Sequence, residues 1–257
     1  MFRYSESAAP PALRPWFHDV WEFAVTGEGA ESHHVPPDGH TSIVVITAPW
    51  MPPQWVVSGP WIDPLVVPAH AGMVTRGLRL AVGAAPIVLG VSADRWVNRS
   101  GEMPTVPWLR DEIRAALAGQ PTLVAAAAPL WPLLEPAAAG WLTPDPLVVA
   151  AARALQGSAG SMPLGSLAGM LQVAPSTLLR RVRAATGLTP KQFARIVRFR
   201  AAALRLVDGE VTGAQAAAGG GYADQPHFSH EVRALTGLTP KDLAHRIRRT
   251  EHHLKPE

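Results

Sequence analysis

The chain of 257 residues contains no cysteine. That one absence excludes disulfides, thiolate metal sites and cysteine nucleophiles. It also excludes alkyl transfer to a protein thiol. No basic start and apolar core stand at the N-terminus, where Glu6 and several prolines occur instead, so no signal peptide is expected. Long apolar runs are missing too. Residues 80–91 and 121–134 are the longest, and they are too short or too proline-broken to cross a bilayer. The expectation is a cytoplasmic protein with no membrane partner. Tryptophan is absent after Trp141, although all nine in the chain lie between Trp16 and that point.

Charge is divided as unevenly as tryptophan. Residues 1–140 hold 8 Lys+Arg against 12 Asp+Glu, a net −4, whereas residues 141–257 hold 15 against 8, a net +7. The overall +3 hides this contrast. Two domains are therefore expected, and the basic one suits a polyanion better than the first.

The basic half is built around a repeated stretch. Residues 184–191 read Ala-Ala-Thr-Gly-Leu-Thr-Pro-Lys, and residues 234–241 read Ala-Leu-Thr-Gly-Leu-Thr-Pro-Lys. Each copy reads as a helix stop followed at once by a helix start. Gly187 and Gly237 suit the left-handed residue that closes a helix. Thr189 and Thr239 suit the N-cap, and Pro190 and Pro240 the first helical position, where no N–H is missed. Gln192 completes a capping box, Asp242 adds a negative charge to the first turn, and Leu188 and Leu238 can staple against Phe193 and Leu243. Two copies fall short of the three or more that a helical array needs.

Short apolar runs dominate the first hundred residues: 43–47, 55–57, 65–67, 78–82 and 87–91. Their spacing predicts strands of a small β-barrel or sandwich. Pro36-Pro37-Asp38-Gly39 is a turn. His33, His34, His40 and His70 lack the convergence that a metal requires, and the adjacent His33 and His34 face opposite sides of a strand. Trp16, Trp21, Trp50, Trp55 and Trp61 fit either an apolar ligand pocket or plain core. Farther on, Trp108, Leu109, Ile113 and Leu117 share a helix face ended by Gly119. The proline-rich stretch 121–146 predicts short helices and a linker, with a boundary near Leu142.

Beyond Pro146 the pattern is helix, tight turn, helix. Leu164, Leu167, Ala168 and Leu171 form one apolar face, and Leu178, Val182 and Ala185 the next. Between the latter stand Ser176, Thr177, Leu179, Arg180, Arg181 and Arg183, a guanidinium-rich face of the kind that enters a major groove. A second unit runs from Ala214 through Tyr222 and the N-cap Asp224 into residues 225–233, where Phe228 and Val232 replace Leu178 and Val182. The intervening helix from Pro190 to about Asp208 carries Arg195, Arg198, Arg200 and Arg205 between its apolar residues. At about 28 Å it is long enough to hold two reading helices near one DNA turn apart.

These residues together resemble the DNA-binding domain of AraC/XylS-type transcription regulators. The likeness rests on Leu167-Ala168, Leu178 with Arg180, both Thr-Gly-Leu-Thr-Pro joints, Gly221-Tyr222 and the run from Asp224 to Ser229. It implies two helix-turn-helix units on one DNA face, with Ser176, Thr177, Leu179, Arg180 and Arg183 in the first reading helix. Gln225, Pro226, Ser229 and His230 match the second. Two departures bear on function. Ala174 replaces the usual capping serine, at about 1 kcal/mol. His230 replaces the usual arginine, and the expectation is a base contact that is either weaker or pH-sensitive. Gly213, Gly219 and Gly220 further soften the second supporting helix. Residues 1–100 resemble, less specifically, the cupin-like sensor domains of the family, through Gly77, Arg79, Gly83, Pro86 and Gly90.

The expected protein is thus a two-domain α+β chain. A small β-barrel or cupin-like sensor occupies residues 1–100, a helical connector 101–146, and an all-α DNA-binding domain of two units joined by a long helix 147–257. Its expected function is sequence-specific transcription regulation on double-stranded DNA, mostly activating in this family and bacterial in origin. A small-molecule effector, RNA polymerase and a second copy of the chain are its further partners. One alternative is a ligand-independent regulator whose β domain dimerises or meets another protein. The other is an enzyme with a DNA-binding appendage, but no catalytic residue set, metal site or cofactor motif supports it.

Overall fold

The computed structural model describes residues 2–27, 30–207 and 212–249. Asp208, the expected end of the long helix, and the last eight residues of the expected DNA-binding domain lie outside these ranges. The first half is β-rich, with strands β1 (Phe2–Ala8), β2 (Phe17–Val25), β3 (Ala30–Val35), β4 (Ser42–Ala48), β5 (Met51–Ser58), β6 (Leu65–His70), β7 (Val74–Leu80) and β8 (Ser100–Glu102). They form an antiparallel six-stranded sheet in the order β1-β2-β7-β4-β5-β8, and a separate antiparallel pair, β3-β6. The barrel is therefore not closed.

Strand alternation gives the large sheet two different faces. One face sends Val20, Ile43, Val45, Val57, Leu78 and Leu80 into the main apolar core. Helices α2 (Asp111–Ala118) and α3 (Leu123–Ala138) cover it with Ile113, Leu117, Leu130 and Leu134. A buried pair clamps sheet to helix: Arg76 Nε donates to Glu22 Oε2 at 2.8 Å, and Arg76 Nη1 donates to the Leu117 carbonyl at the end of α2 at 3.0 Å. The other face carries Tyr4, Asp19, Trp21, Val44 and Arg79 towards β3 and β6. Gly77 permits this packing of Trp21, because a Cβ there would stand 2.1 Å from the indole.

Two stretches differ from the sequence reading. The run 87–91 is not a strand. Its Pro86 lies in the first turn of a short helix, α1 (Ala85–Leu89), which Gly90 ends in the left-handed conformation. The proline-rich stretch is not a set of short pieces. In α3, Pro129, Pro132 and Pro136 all lie on the solvent face, while Leu123, Ala126, Leu130, Trp131, Leu134 and Ala138 are buried. The carbonyls that lose a donor therefore lie on the wet side, so burial of the other face holds the helix together.

The second half is all helical: α4 (Pro146–Gly157), α5 (Leu164–Met170), α6 (Pro175–Thr186), α7 (Pro190–Val207), α8 (Gly213–Gly219), α9 (Gln225–Thr236) and α10 (Pro240–Arg249). Helix α7 serves two cores. Phe193, Ala194 and Ile196 join Leu167, Leu178 and Val182 in one, and Phe199, Ala202 and Ala203 join Phe228, Val232 and Leu243 in the other. A Cβ on Gly220 would stand 2.5 Å from the Ala202 Cβ, so that glycine lets α8 approach α7 closely.

Candidate DNA-reading helices and ligand cavity

Both repeated joints form as their chemistry requires. Gly187 (φ +77°) and Gly237 (φ +72°) are left-handed, and each amide donates to the carbonyl four residues back at 2.8 Å, on Arg183 and Arg233. Thr189 Oγ1 accepts from the Gln192 amide at 3.2 Å while Gln192 Oε1 accepts from the Thr189 amide at 2.9 Å, a closed capping box. Thr239 Oγ1 accepts from the Asp242 amide at 3.2 Å and donates to the Asp242 carboxylate at 2.6 Å. The first threonine of each joint has a part that sequence reasoning missed. Thr186 and Thr236 are buried, donate to the Val182 and Val232 carbonyls, and accept from the Leu188 and Leu238 amides. Every residue of the repeated pentapeptide thus has a structural assignment.

Helix α6 follows α5 after a tight turn at Gln172, which has positive φ. Leu178 and Val182 are buried, whereas Ser176, Arg180 and Arg183 are exposed, Leu179 is 45% exposed and Thr177 is partly covered. These five face away from the core. Arg181 does not belong with them: its Nε donates to Asp145 Oδ2 at 2.6 Å, and its terminal nitrogen reaches the other carboxylate oxygen. Asp145 is the N-cap of α4 and also accepts from the Leu147 amide. Burial opposes its ionisation, but Arg181 and that amide outweigh it and hold the carboxyl below its ordinary value.

Ala174 offers α6 no side-chain cap. Ala174→Ser should therefore stabilise the chain by about 1 kcal/mol. Thermal unfolding checks it, and an unchanged or lower Tm counts against an uncapped start.

Helix α9 starts better, with Asp224 Oδ1 accepting from the His227 amide at 2.7 Å. Phe228 and Val232 are buried, Gln225, Pro226 and His230 are exposed, and Ser229 is partly covered. The supporting helix α8 has a capping box of its own, Thr212 with Gln215, which offsets some of its glycine content. The arginines of α7 are largely occupied within the fold. Arg195 Nε pairs with Glu231 of α9 at 2.8 Å, and Arg198 lies over the Tyr222 ring at 5.3 Å.

Residues 167–246 match the family model described as "Helix-turn-helix domain". This part of the chain is an AraC-type helix-turn-helix domain. Such a domain is the DNA-binding part of a transcription regulator. Among solved structures, the chain is similar to the C-terminal domain of AraT, a response regulator from Geobacillus stearothermophilus. The identity is 26% over 39% of this chain and 85% of that one, with a TM-score of 0.37. It is also similar to a probable AraC family transcriptional regulator from Rhodopseudomonas palustris, at 21% identity over 40% and 97% of the two chains, with a TM-score of 0.37. A third similar structure is wild-type ToxT from Vibrio cholerae bound to an unsaturated fatty acid. There the identity is 9% over 95% and 94%, with a TM-score of 0.44. No curated protein matches the chain.

Several contacts join the AraC-type domain to the β-rich half. A Cβ on Gly187 would stand 2.8 Å from the Ala93 carbonyl oxygen and 2.7 Å from Val97 Cγ2, around the short 3-10 helix Ala93–Trp96. Gly237 faces Pro64 and His34 at looser distances. His34 Nδ1 lies 2.9 Å from the Thr236 carbonyl at the end of α9, and Arg246 of α10 donates to the Ser32 carbonyl at 3.2 Å. The glycines of the two joints therefore also allow close approach between the halves.

Between the large sheet and β3-β6 lies a cavity of about 540 Å³. Its apolar wall includes Phe23, Val44, Ile46, Val56, Leu65 and Val67, and Arg200 of α7 also lines it. The tryptophans divide. Trp21 and Trp61 line the cavity, Trp16 packs edge-on to Trp141 in the core, Trp55 stacks under Arg114, and Trp50 is 58% exposed. The histidines divide as well. His33 lines the cavity and stacks on Phe23 with ring centres 4.2 Å apart, while His34 on the other side of β3 reaches α9.

Burial, followed by His34 and Arg246, pushes the His33 pKa down to about 4. The folded chain therefore holds this ring neutral where the unfolded chain would protonate it. Its contribution to stability is full above about pH 6.5 and is lost as the pH falls towards 4. His33→Phe should reduce the drop in Tm between pH 7 and pH 5 relative to the parent chain. Equal drops would contradict a buried neutral His33.

Proposed function

We propose that the chain is an effector-responsive, sequence-specific DNA-binding regulator. In this reading residues 1–100 sense, 101–146 connect and 147–257 read DNA. The first reading helix contacts DNA through Ser176, Thr177, Leu179, Arg180 and Arg183, and the second through Gln225, Pro226, Ser229 and His230. Arginine can pair with both major-groove acceptors of guanine, and the shorter side chains suit phosphates or base edges.

One observation carries the effector reading: the cavity wall is continuous with the DNA-binding half. Helix α7, which belongs to the cores of both reading units, contributes Arg200 to that wall. Strand β3 presents His33 to the cavity and His34 to the end of α9. A ligand that moves either element acts on a reading helix, provided that it binds the two arrangements unequally.

All nine tryptophans lie outside the DNA-binding half and two line the cavity, so their emission reports cavity binding. A small-molecule library is screened on the full chain by tryptophan emission, and each hit is then titrated for operator affinity. The expected result is a compound that changes both, with the emission change reduced in Trp21→Phe. A compound that changes operator affinity while leaving the emission and Tm of the full chain unchanged would count against this cavity as the sensor.

A further inference from the structure

The two reading units rest on the β-rich half at separate places. At the first joint, Gly187 packs on the 3-10 helix Ala93–Trp96 and on Val97. Ile62 and Val97 pack against the core that holds Leu178 and Val182. At the second joint, a Cβ on Gly237 would stand 3.6 Å from Pro64 Cβ. Leu65 then opens β6, whose partner β3 sets His34 against the Thr236 carbonyl and offers the Ser32 carbonyl to Arg246. The first pad is thus residues 93–97 with Ile62, and the second is Pro64 with the β3-β6 pair.

One side chain ties the two pads together. Asn98 directly follows the first pad. Its Oδ1 accepts from the Ile62 amide at 2.7 Å and the Asp63 amide at 3.1 Å, and its Nδ2 donates to Asp63 Oδ2 at 2.6 Å. Its own amide donates to the Pro60 carbonyl at 3.1 Å. At φ +52° its backbone is left-handed, a conformation that asparagine tolerates better than most residues.

Helix α7 belongs to both cores and links the reading units directly. A lone helix fixes a length but can bend. The tied pads are a second link, away from the helix axis, and two links hold an angle where one does not. DNA makes that angle matter, because one base pair moves a half-site by about 3.4 Å along the duplex and about 35° around it.

We propose that Asn98 is a positioning residue: by joining the two pads it fixes α6 relative to α9 and so sets the half-site spacing that the chain accepts. The inference rests on the two-headed reading of DNA proposed above. Gly59, Trp61, Leu65 and Ser100, on the segments that Asn98 joins, line the cavity.

The test uses the operator that the full parent chain selects from random DNA. It is remade with one base pair inserted or removed between its half-sites, and a further DNA holds the first half-site alone. The parent should lose at least tenfold in affinity on each altered operator. Asn98→Gly keeps the positive φ and deletes the side-chain bonds, so its loss should be threefold or less, with parent affinity for the lone half-site. Asn98→Asp sets two carboxylates against each other and should loosen the spacing in the same way. Adding Asp63→Asn restores a donor opposite an acceptor and should return the tenfold penalty. Each ratio compares two DNAs bound by one protein, so a fall in Tm alone does not move it, and the Asp63 pair decides if Asn98→Gly fails to fold. A parent-like penalty in the single variants would mean that α7 alone sets the spacing and would overturn the proposal. So would a loosened spacing that Asp63→Asn fails to restore, or an equal loss on the lone half-site. The two-headed reading fails separately, through a parent chain indifferent to spacing.

Discussion

Arg180→Ala should lower operator affinity by roughly 1–3 kcal/mol, about 5- to 150-fold, and abolish base preference at one half of the site. Arg180 is exposed on α6 beside the buried Leu178, so the loss belongs to DNA contact and Tm should not change. His230→Ala on α9 should cost less. An imidazole offers one donor when neutral, where a guanidinium offers five in a fork matched to guanine. Full-chain protein is titrated on the parent operator and on operators altered in each half-site. Equal losses for the two variants, or no loss for either, would contradict two unequal reading heads.

The second large effect lies at the repeated joint and uses one copy as the control for the other. Gly187→Ala should destabilise the chain by about 3 kcal/mol. The new Cβ is strained at φ +77° and also meets the Ala93 carbonyl oxygen at 2.8 Å, a backbone atom that cannot turn aside. Gly237→Ala has the same backbone strain at φ +72°, but its nearest atom is Pro64 Cβ at 3.6 Å. Its cost should be near 1 kcal/mol. Thermal unfolding of both variants separates the two terms, and equal Tm losses would mean that Gly187 does not sit closely against the β-rich half.

Joints of this kind are where the sequence is most legible. Stop, cap and restart are each specified by local chemistry: glycine for a positive φ, threonine for orphan amides and proline where no amide is needed. The long α7 was readable for a similar reason, its apolar residues falling at helical spacing between Pro190 and Val207. Reading failed where distant partners decide the outcome. Residues 87–91 are apolar enough for a strand, and only the register of Pro86 and Gly90 against the rest of the fold makes them α1. The three prolines of α3 look like breaks until their common solvent face is known.

The candidate site divides along the same line. The exposed faces of α6 and α9 follow from the spacing of Leu178 with Val182 and of Phe228 with Val232. Arg181 resembled its neighbours in sequence, yet Asp145, 36 residues away, removes it from that face. The cavity was hardly legible at all. Asp19, Arg79 and Arg200 come from β2, β7 and α7, and no local pattern announces that they meet.

The central claim is that two helix-turn-helix units on one chain read one DNA site. Selecting and sequencing the fragments that the full chain retains from a random DNA pool tests it most directly. The predicted result is one enriched motif with two half-sites about one helical turn, ~10 base pairs, apart, bound with an affinity that falls steeply with salt. A pool that stays uniform, or a motif confined to a single half-site, would contradict it.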